Sequence, residues 1–206
     1  MSTTGDNIED PGPARRRPRP VFLVVGVLLA AALAAALVGI GAVATSGEGN
    51  GTVRPGAGTE VPHFQLPALG THGKKVGVPT DGGASGRPAI LLFFASWCPP
   101  CQGEIPKLAA AYHHQQRDGS RLAKVAVIGV DGNDPTGTAL SFVHSAGVTF
   151  PVGADIAFSV TQGRFGFTKL PESVFVAGNG TIAGIHFGAL STSSFLSWEH
   201  KLLASS

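Results

Sequence analysis

Cysteine is scarce in this sequence: Cys98 and Cys101 are the only two in 206 residues. That excludes a framework of several disulfides. It also weighs against the pair being half of a zinc site, which would need two more soft ligands where no further Cys exists. Charge is scarce too. Charged residues make up 14% of the chain and the net charge is +2, too slight to argue for a nucleic-acid partner. So low a charge beside 43% hydrophobic residues instead points to a segment lying in a membrane. No internal repeat is visible.

Between Val21 and Ala44 there is no charged residue at all. Those roughly 24 residues exceed the ~20 that a helix needs to span a bilayer. Arg15, Arg16, Arg17 and Arg19 precede the run, and no Lys or Arg follows closely. The positive-inside rule then puts Met1–Pro20 in the cytoplasm and the rest of the chain outside the cell membrane. Ala42-Val43-Ala44 resembles a processing site, but a cleaved leader has an apolar core of only about 7–15 residues, so an uncleaved anchor is preferred. For twin-arginine export, Pro18 interrupts what should follow the arginines. No cysteine ends the run, which excludes a lipoprotein anchor. The expected organisation is a disordered segment over 1–20, a transmembrane anchor over 21–44, a Gly-rich flexible linker over 45–58 and one domain over 59–206.

The two cysteines sit at the end of Ala89-Ile90-Leu91-Leu92-Phe93-Phe94, a short unbroken apolar run that reads as a strand buried on both faces. Lys107–Gln116 follows with Leu, Ala and Tyr at helical spacing. A C-x-x-C at the mouth of a βα unit suits thiol–disulfide exchange, since the helix N-terminus favours the thiolate of the first cysteine. A purely structural disulfide here would close only a tiny loop and make a poor staple.

Elsewhere, Val61–Pro67 reads as an extended segment, Lys74–Val78 as a short strand and Asp81–Gly86 as a loop. Lys124–Asp131 is a second apolar strand, and Thr138–Ala146 a helix closed by Gly147. Ser173–Val176 and Thr181–Ile185 flank Gly178-Asn179-Gly180, the turn chemistry of a β-hairpin. Ser194–Leu203 is an amphipathic closing helix. From the central strand the order is β, α, β, α, β, β, α, an α/β sheet with helices on its faces.

With these residues in view, Phe94-Ala95-Ser96-Trp97-Cys98-Pro99-Pro100-Cys101, Glu104 and Pro106 resemble the membrane-anchored, extracytoplasmic branch of the thioredoxin-like oxidoreductases (the TlpA/ResA/DsbE group). Pro62-His63-Phe64, Ile128–Asp131 and Leu170–Phe175 add to the likeness, which covers roughly 58–203. The resemblance implies a thioredoxin-like fold with a central mixed sheet. It also implies a cis Pro171 facing the cysteines, and a Leu170 backbone that offers edge hydrogen bonds to an incoming peptide. Trp97, Leu170 and Pro171 are thus the expected substrate-contacting residues. It further implies substrates such as disulfides in apocytochrome c or other exported proteins, and electrons from a membrane-embedded thiol donor. No cofactor or metal is expected.

Two positions depart from the family. The buried acid of thioredoxins proper is replaced by Leu92, and His63 stands where an acid is frequent. Glu104, three residues after Cys101, shares its helix face and can take the proton of the resolving thiol. The plainer reading of Glu104 is an acid favoured in a first helical turn by the dipole. In the expected chemistry Cys98, exposed at the helix start, attacks a substrate disulfide, and Cys101 resolves the mixed disulfide. Pro99 and Pro100 bring no N–H to stabilise the Cys98 thiolate, which favours a reductant. The rivals are a disulfide-forming oxidase, a copper metallochaperone using the two thiolates and a His, and, further off, a peroxidase. His113 and His114 are adjacent, point to different helix faces and read as solvated.

Overall fold

The computed structural model describes residues 54–78 and 87–205. The expected cytoplasmic segment, membrane anchor, most of the linker and the 81–86 loop lie outside them. Among the described residues no helix is long and apolar enough to cross a membrane.

The organising strand is β3 (Ala89–Phe94), buried along its whole length. Its side chains alternate between two apolar clusters. Ile90, Leu92 and Phe94 face one with Cys98 and Cys101; Ala89, Leu91 and Phe93 face the other. At roughly 1.5–3 kcal/mol for each large side chain buried, this strand anchors the domain from both sides. β3 pairs in parallel with β4 (Ala126–Gly132), which pairs in parallel with β5 (Val152–Asp155). On its other side β3 pairs antiparallel with β6 (Glu172–Val176), and β6 with β7 (Ile182–Phe187). The mixed sheet therefore runs β5-β4-β3-β6-β7. β5 is one strand more than the sequence pattern predicts. Its four residues, Val-Gly-Ala-Asp, carry too little pattern to announce a strand and are held by pairing with β4.

Three helices, α1 (Pro99–Arg117), α2 (Thr136–Ser145) and α3 (Thr192–Ala204), supply residues to the cysteine-bearing cluster. The opposite face is covered by a small antiparallel pair, β1 (Phe64–Pro67) and β2 (Lys75–Val78), and by Val160, Phe165 and Phe167 from the connection to β6. α1 begins directly after Cys98, at the expected strand–helix junction and eight residues before the helical spacing that opens at Lys107. Prolines are tolerated in a first helical turn, where the N–H has no intrahelical partner, so Pro99 and Pro100 open the helix instead of preceding it.

The predicted linker differs at its end. Arg54 pairs with the buried Glu172 at 3.3 Å and lies over the Phe167 and Phe187 rings. Gly58 N–H donates to the Ile182 carbonyl. The domain thus includes Arg54–Gly58, because a buried acid and two aromatic faces give the arginine a seat.

Candidate active site

Cys98 is the N-cap of α1 and is joined to Cys101 as a disulfide. An N-cap side chain accepts from the N–H of the second or third helical residue. Here the first two are prolines, and Cys98 Sγ receives a single N–H, that of Cys101, at 3.3 Å. The exposed Cys98 expected from sequence is not what the structure has. Cys98 is 3% exposed and Cys101 0%, since the disulfide packs both into the cluster with Phe94, Ala95 and Ile105. What stands in solvent is Trp97, 54% exposed, with its ring edge-on to Phe158 at 6.2 Å. Gly132 makes room for Phe158, since an added Cβ would come within 2.8 Å of its ring.

The turn into the cysteines is fixed at three points, all on Ser96. Its N–H and hydroxyl donate to the two oxygens of Asp134 at 2.7 and 2.8 Å, and its carbonyl accepts from Gln102 Nε2 at 2.7 Å. Asp134 escaped the sequence reading. Its one local signal is a place just before Pro135 in a turn, which marks a loop and not a site.

Glu104 is the sixth residue of α1, beyond the first turn, so helix-dipole preference does not account for it. It is buried on the same helix as Cys101, and its Oε2 has no donor. Burial pushes its carboxyl up to about 7, partly offset by a backbone hydrogen bond from Leu190. A cleft of about 570 Å³ between the start of α1 and the Ala189–Ser193 segment reaches Glu104.

The Leu170–Pro171 peptide is cis. Pro171 is buried, and its carbonyl accepts from Gly188 N–H at 3.0 Å. The β6 ladder begins at Glu172, so Leu170 stands outside it, half-buried against both clusters. The next residue, Glu172, is a second buried acid that the sequence did not mark. Burial lifts it to about 7 even with Arg54 beside it to pull it down. Among the described residues no group of three His, Cys, Asp or Glu side chains gathers as a metal set. His114 pairs with exposed Asp118 at 2.8 Å.

A five-stranded mixed sheet, a C-x-x-C disulfide capping the helix after its central strand, and a cis-proline opening the neighbouring strand define a thioredoxin-like fold with a dithiol site. The chain belongs to the AhpC/TSA family, whose model matches residues 57–185. It is 30% identical over 105 residues to the thiol-disulfide oxidoreductase ResA of Halalkalibacterium halodurans, covering 51% of this chain and 56% of that protein. To a thiol:disulfide interchange protein DsbE homologue of Paracoccus denitrificans it is 35% identical over 119 residues, 56% of this chain and 61% of the other. It thus spans little more than half the length of these curated relatives. Among solved structures, MTB DsbF superposes with a TM-score of 0.56 at 28% identity, over 69% of this chain and 98% of that one. A secreted Mycobacterium tuberculosis disulfide oxidoreductase homologous to E. coli DsbE gives 0.54 at 25% identity, over 68% and 96%. The matched proteins are thus thioredoxin-like thiol-disulfide oxidoreductases of the ResA and DsbE type.

Proposed function

We propose that this protein acts outside the cytoplasm, anchored by Val21–Ala44, as a reductant of disulfides in exported proteins such as apocytochrome c, with electrons delivered by a membrane-embedded thiol donor. The observation that carries the direction is the single N–H on Cys98 Sγ. With Pro99 and Pro100 as the first two helical residues, the cap has one donor to offer a thiolate. A poorly stabilised thiolate makes the dithiol the less favoured form, and therefore a better electron donor.

The Cys98 thiolate attacks one sulfur of the substrate disulfide, forms a mixed disulfide and expels the other substrate sulfur as thiolate. Cys101 then loses its proton and attacks Cys98 Sγ, releasing the second substrate thiol and leaving the Cys98–Cys101 disulfide. Two electrons pass to the substrate, whose two sulfurs take up two protons. Glu104, when ionised, is the base for the Cys101 proton. Trp97 and the Leu170 backbone beside Pro171 contact the substrate polypeptide. The interchange activity in the names of the relatives supports this reading.

Equilibration with a thiol couple of known potential tests the direction. Potentials for this fold run from about −270 mV for thioredoxin to about −120 mV for DsbA, and a value nearer the thioredoxin end is expected. A value near that of DsbA would replace the reductant by the oxidase. The anchor is tested by sequencing the mature N-terminus, where a start at Thr45 would defeat it.

Glu104→Gln keeps the side-chain shape and removes the titration. The resolving step in the wild type should accelerate as pH rises through about 7, where Glu104 becomes a base. In the variant that limb should disappear and the rate at pH 8 fall about 10²-fold or more, the usual range for a lost general base. An unchanged pH–rate profile would remove Glu104 from the mechanism.

A further inference from the structure

Three buried carboxylates converge near the turn that leads into the cysteines: Asp131 on β4, Asp134 just after it and Asp155 at the end of β5. They do not form a metal set. Asp155 is fully used. It accepts from the Ser159 hydroxyl, the Val160 N–H, and the Thr161 N–H and hydroxyl, at 2.6–2.9 Å. Asp134 holds Ser96 with both oxygens. Asp131 is 1% exposed, and neither of its oxygens has a donor.

The position of Asp131 is set by the strand. Val127 of β4 packs in the cluster with Cys98 and Cys101, Val130 in the opposite one, so alternation places Asp131 on the cysteine face. Its register partner in β3 is Phe94, two residues before Ser96. The charged groups facing it are Asp134 and Asp155, both acidic. Among the described residues no cation pairs with it. An ionised carboxylate buried without a donor and beside two others is costly. A proton on Asp131 removes that cost by turning the contact with Asp134 into a hydrogen bond.

We propose that Asp131 and Asp134 share one proton and act as a positioning pair for the active-site turn, Asp131 donating to Asp134 while Asp134 holds Ser96, and with it Trp97 and Cys98, in place. Burial and the two neighbouring acids push the Asp131 carboxyl up to about 8, so the pair is singly charged at neutral pH. Above that pH two adjacent negative charges repel, Asp134 is driven off Ser96, and the turn loosens. Neither residue touches the reacting sulfurs; both act through Ser96. The link to catalysis rests on the reading of Cys98 as the attacking thiol, whereas the proton sharing does not.

The test uses the full-length protein in its disulfide form, in which neither cysteine titrates. Trp198→Phe leaves Trp97 as the only tryptophan. Trp97 emission should then show a step near pH 8, and Asp131→Asn, whose carboxamide donates to Asp134 at every pH, should abolish it. Asp134→Asn should abolish it as well, because with one of the two charges gone nothing drives residue 134 off Ser96. If Trp198→Phe does not fold, the wild type minus Asp131→Asn difference titration should show the same step. In the reduced protein at pH 7, Asp134→Ala should slow attack on 4,4′-dithiodipyridine about tenfold through misplacement of Cys98. Asp134→Asn should rescue the rate, since its oxygen accepts from Ser96 N–H and its amide donates to the hydroxyl. Should Asp134→Ala not fold, Ser96→Ala should cost about threefold by losing one hydrogen bond. No step in the wild type, a step that survives Asp131→Asn, or a Ser96→Ala enzyme as fast as the wild type would overturn the proposal. A full titration step in a protein without exchange activity would sink the proposed function and leave the pair standing.

Discussion

Cys98→Ser will abolish disulfide exchange, with a rate loss of about 10³-fold or more, as expected when the nucleophile of a two-step mechanism is removed. Cys101→Ala will instead leave the first step intact and accumulate a covalent adduct with substrate. The difference follows from position. Cys98 caps α1 beside the exposed Trp97, and its 3% exposure is the only access either cysteine has. Cys101 lies one turn inward, with no exposure, on the side of Glu104. A substrate sulfur therefore meets Cys98 first, and the adduct can be released only by Cys101. Non-reducing electrophoresis against a disulfide-bonded protein substrate reads both outcomes. Residual exchange in Cys98→Ser, or adducts that form through Cys101 alone, would reverse the assignment.

Stability will fall as pH rises from about 4.5 to 8. Burial holds Glu104, Glu172 and Glu199 at about 7, and burial with neighbouring acids holds Asp131 at about 8. Each group is raised above its unfolded value, so the folded state binds more protons than the unfolded chain in this interval. Each contribution is complete below the unfolded value near 4 and is lost as pH passes the folded one. A shift of one unit corresponds to about 1.4 kcal/mol, so each group accounts for on the order of a few kcal/mol, Asp131 for the most.

Glu199 isolates the effect, because it is remote from the cysteines in the sequence and fully buried on α3. It accepts from Gln115 Nε2 at 2.7 Å, while its own Oε1 and Gln115 Oε1 both lack a donor. A proton on Glu199 supplies one, and so does the amide of Glu199→Gln. That variant should be near neutral at pH 5 and more stable than the wild type by about 1–3 kcal/mol at pH 8. Urea denaturation at the two pH values measures it. A variant less stable at both would show that Glu199 is held ionised.

The elements read correctly from the sequence are those whose pattern is complete within a few residues. β3 is an unbroken apolar run, and burial on both faces is the environment in which such a run is stable. Gly178-Asn179-Gly180 sets the β6–β7 hairpin through local chemistry: Gly180 has a φ of 84°, and Asn179 Oδ1 accepts from Thr181 N–H. The spacing of Cys98 and Cys101 at a strand–helix junction carries the dithiol without help from the rest of the chain. The helix start follows from the same junction, since Pro99 and Pro100 occupy a first turn in which no intrahelical N–H is needed.

What the sequence alone determined, then, is the strand, the cysteine pair after it and the acid three residues further on. Only the tertiary structure decided which acids are buried and what they hold. Asp134 reaches Ser96 across 38 residues and Arg54 reaches Glu172 across 118. The burial that lifts Asp131, Glu104 and Glu199 comes from elements far apart in the chain. Periodicity and turn chemistry are properties of short segments, whereas the cost of a buried charge is set by what the completed fold places around it.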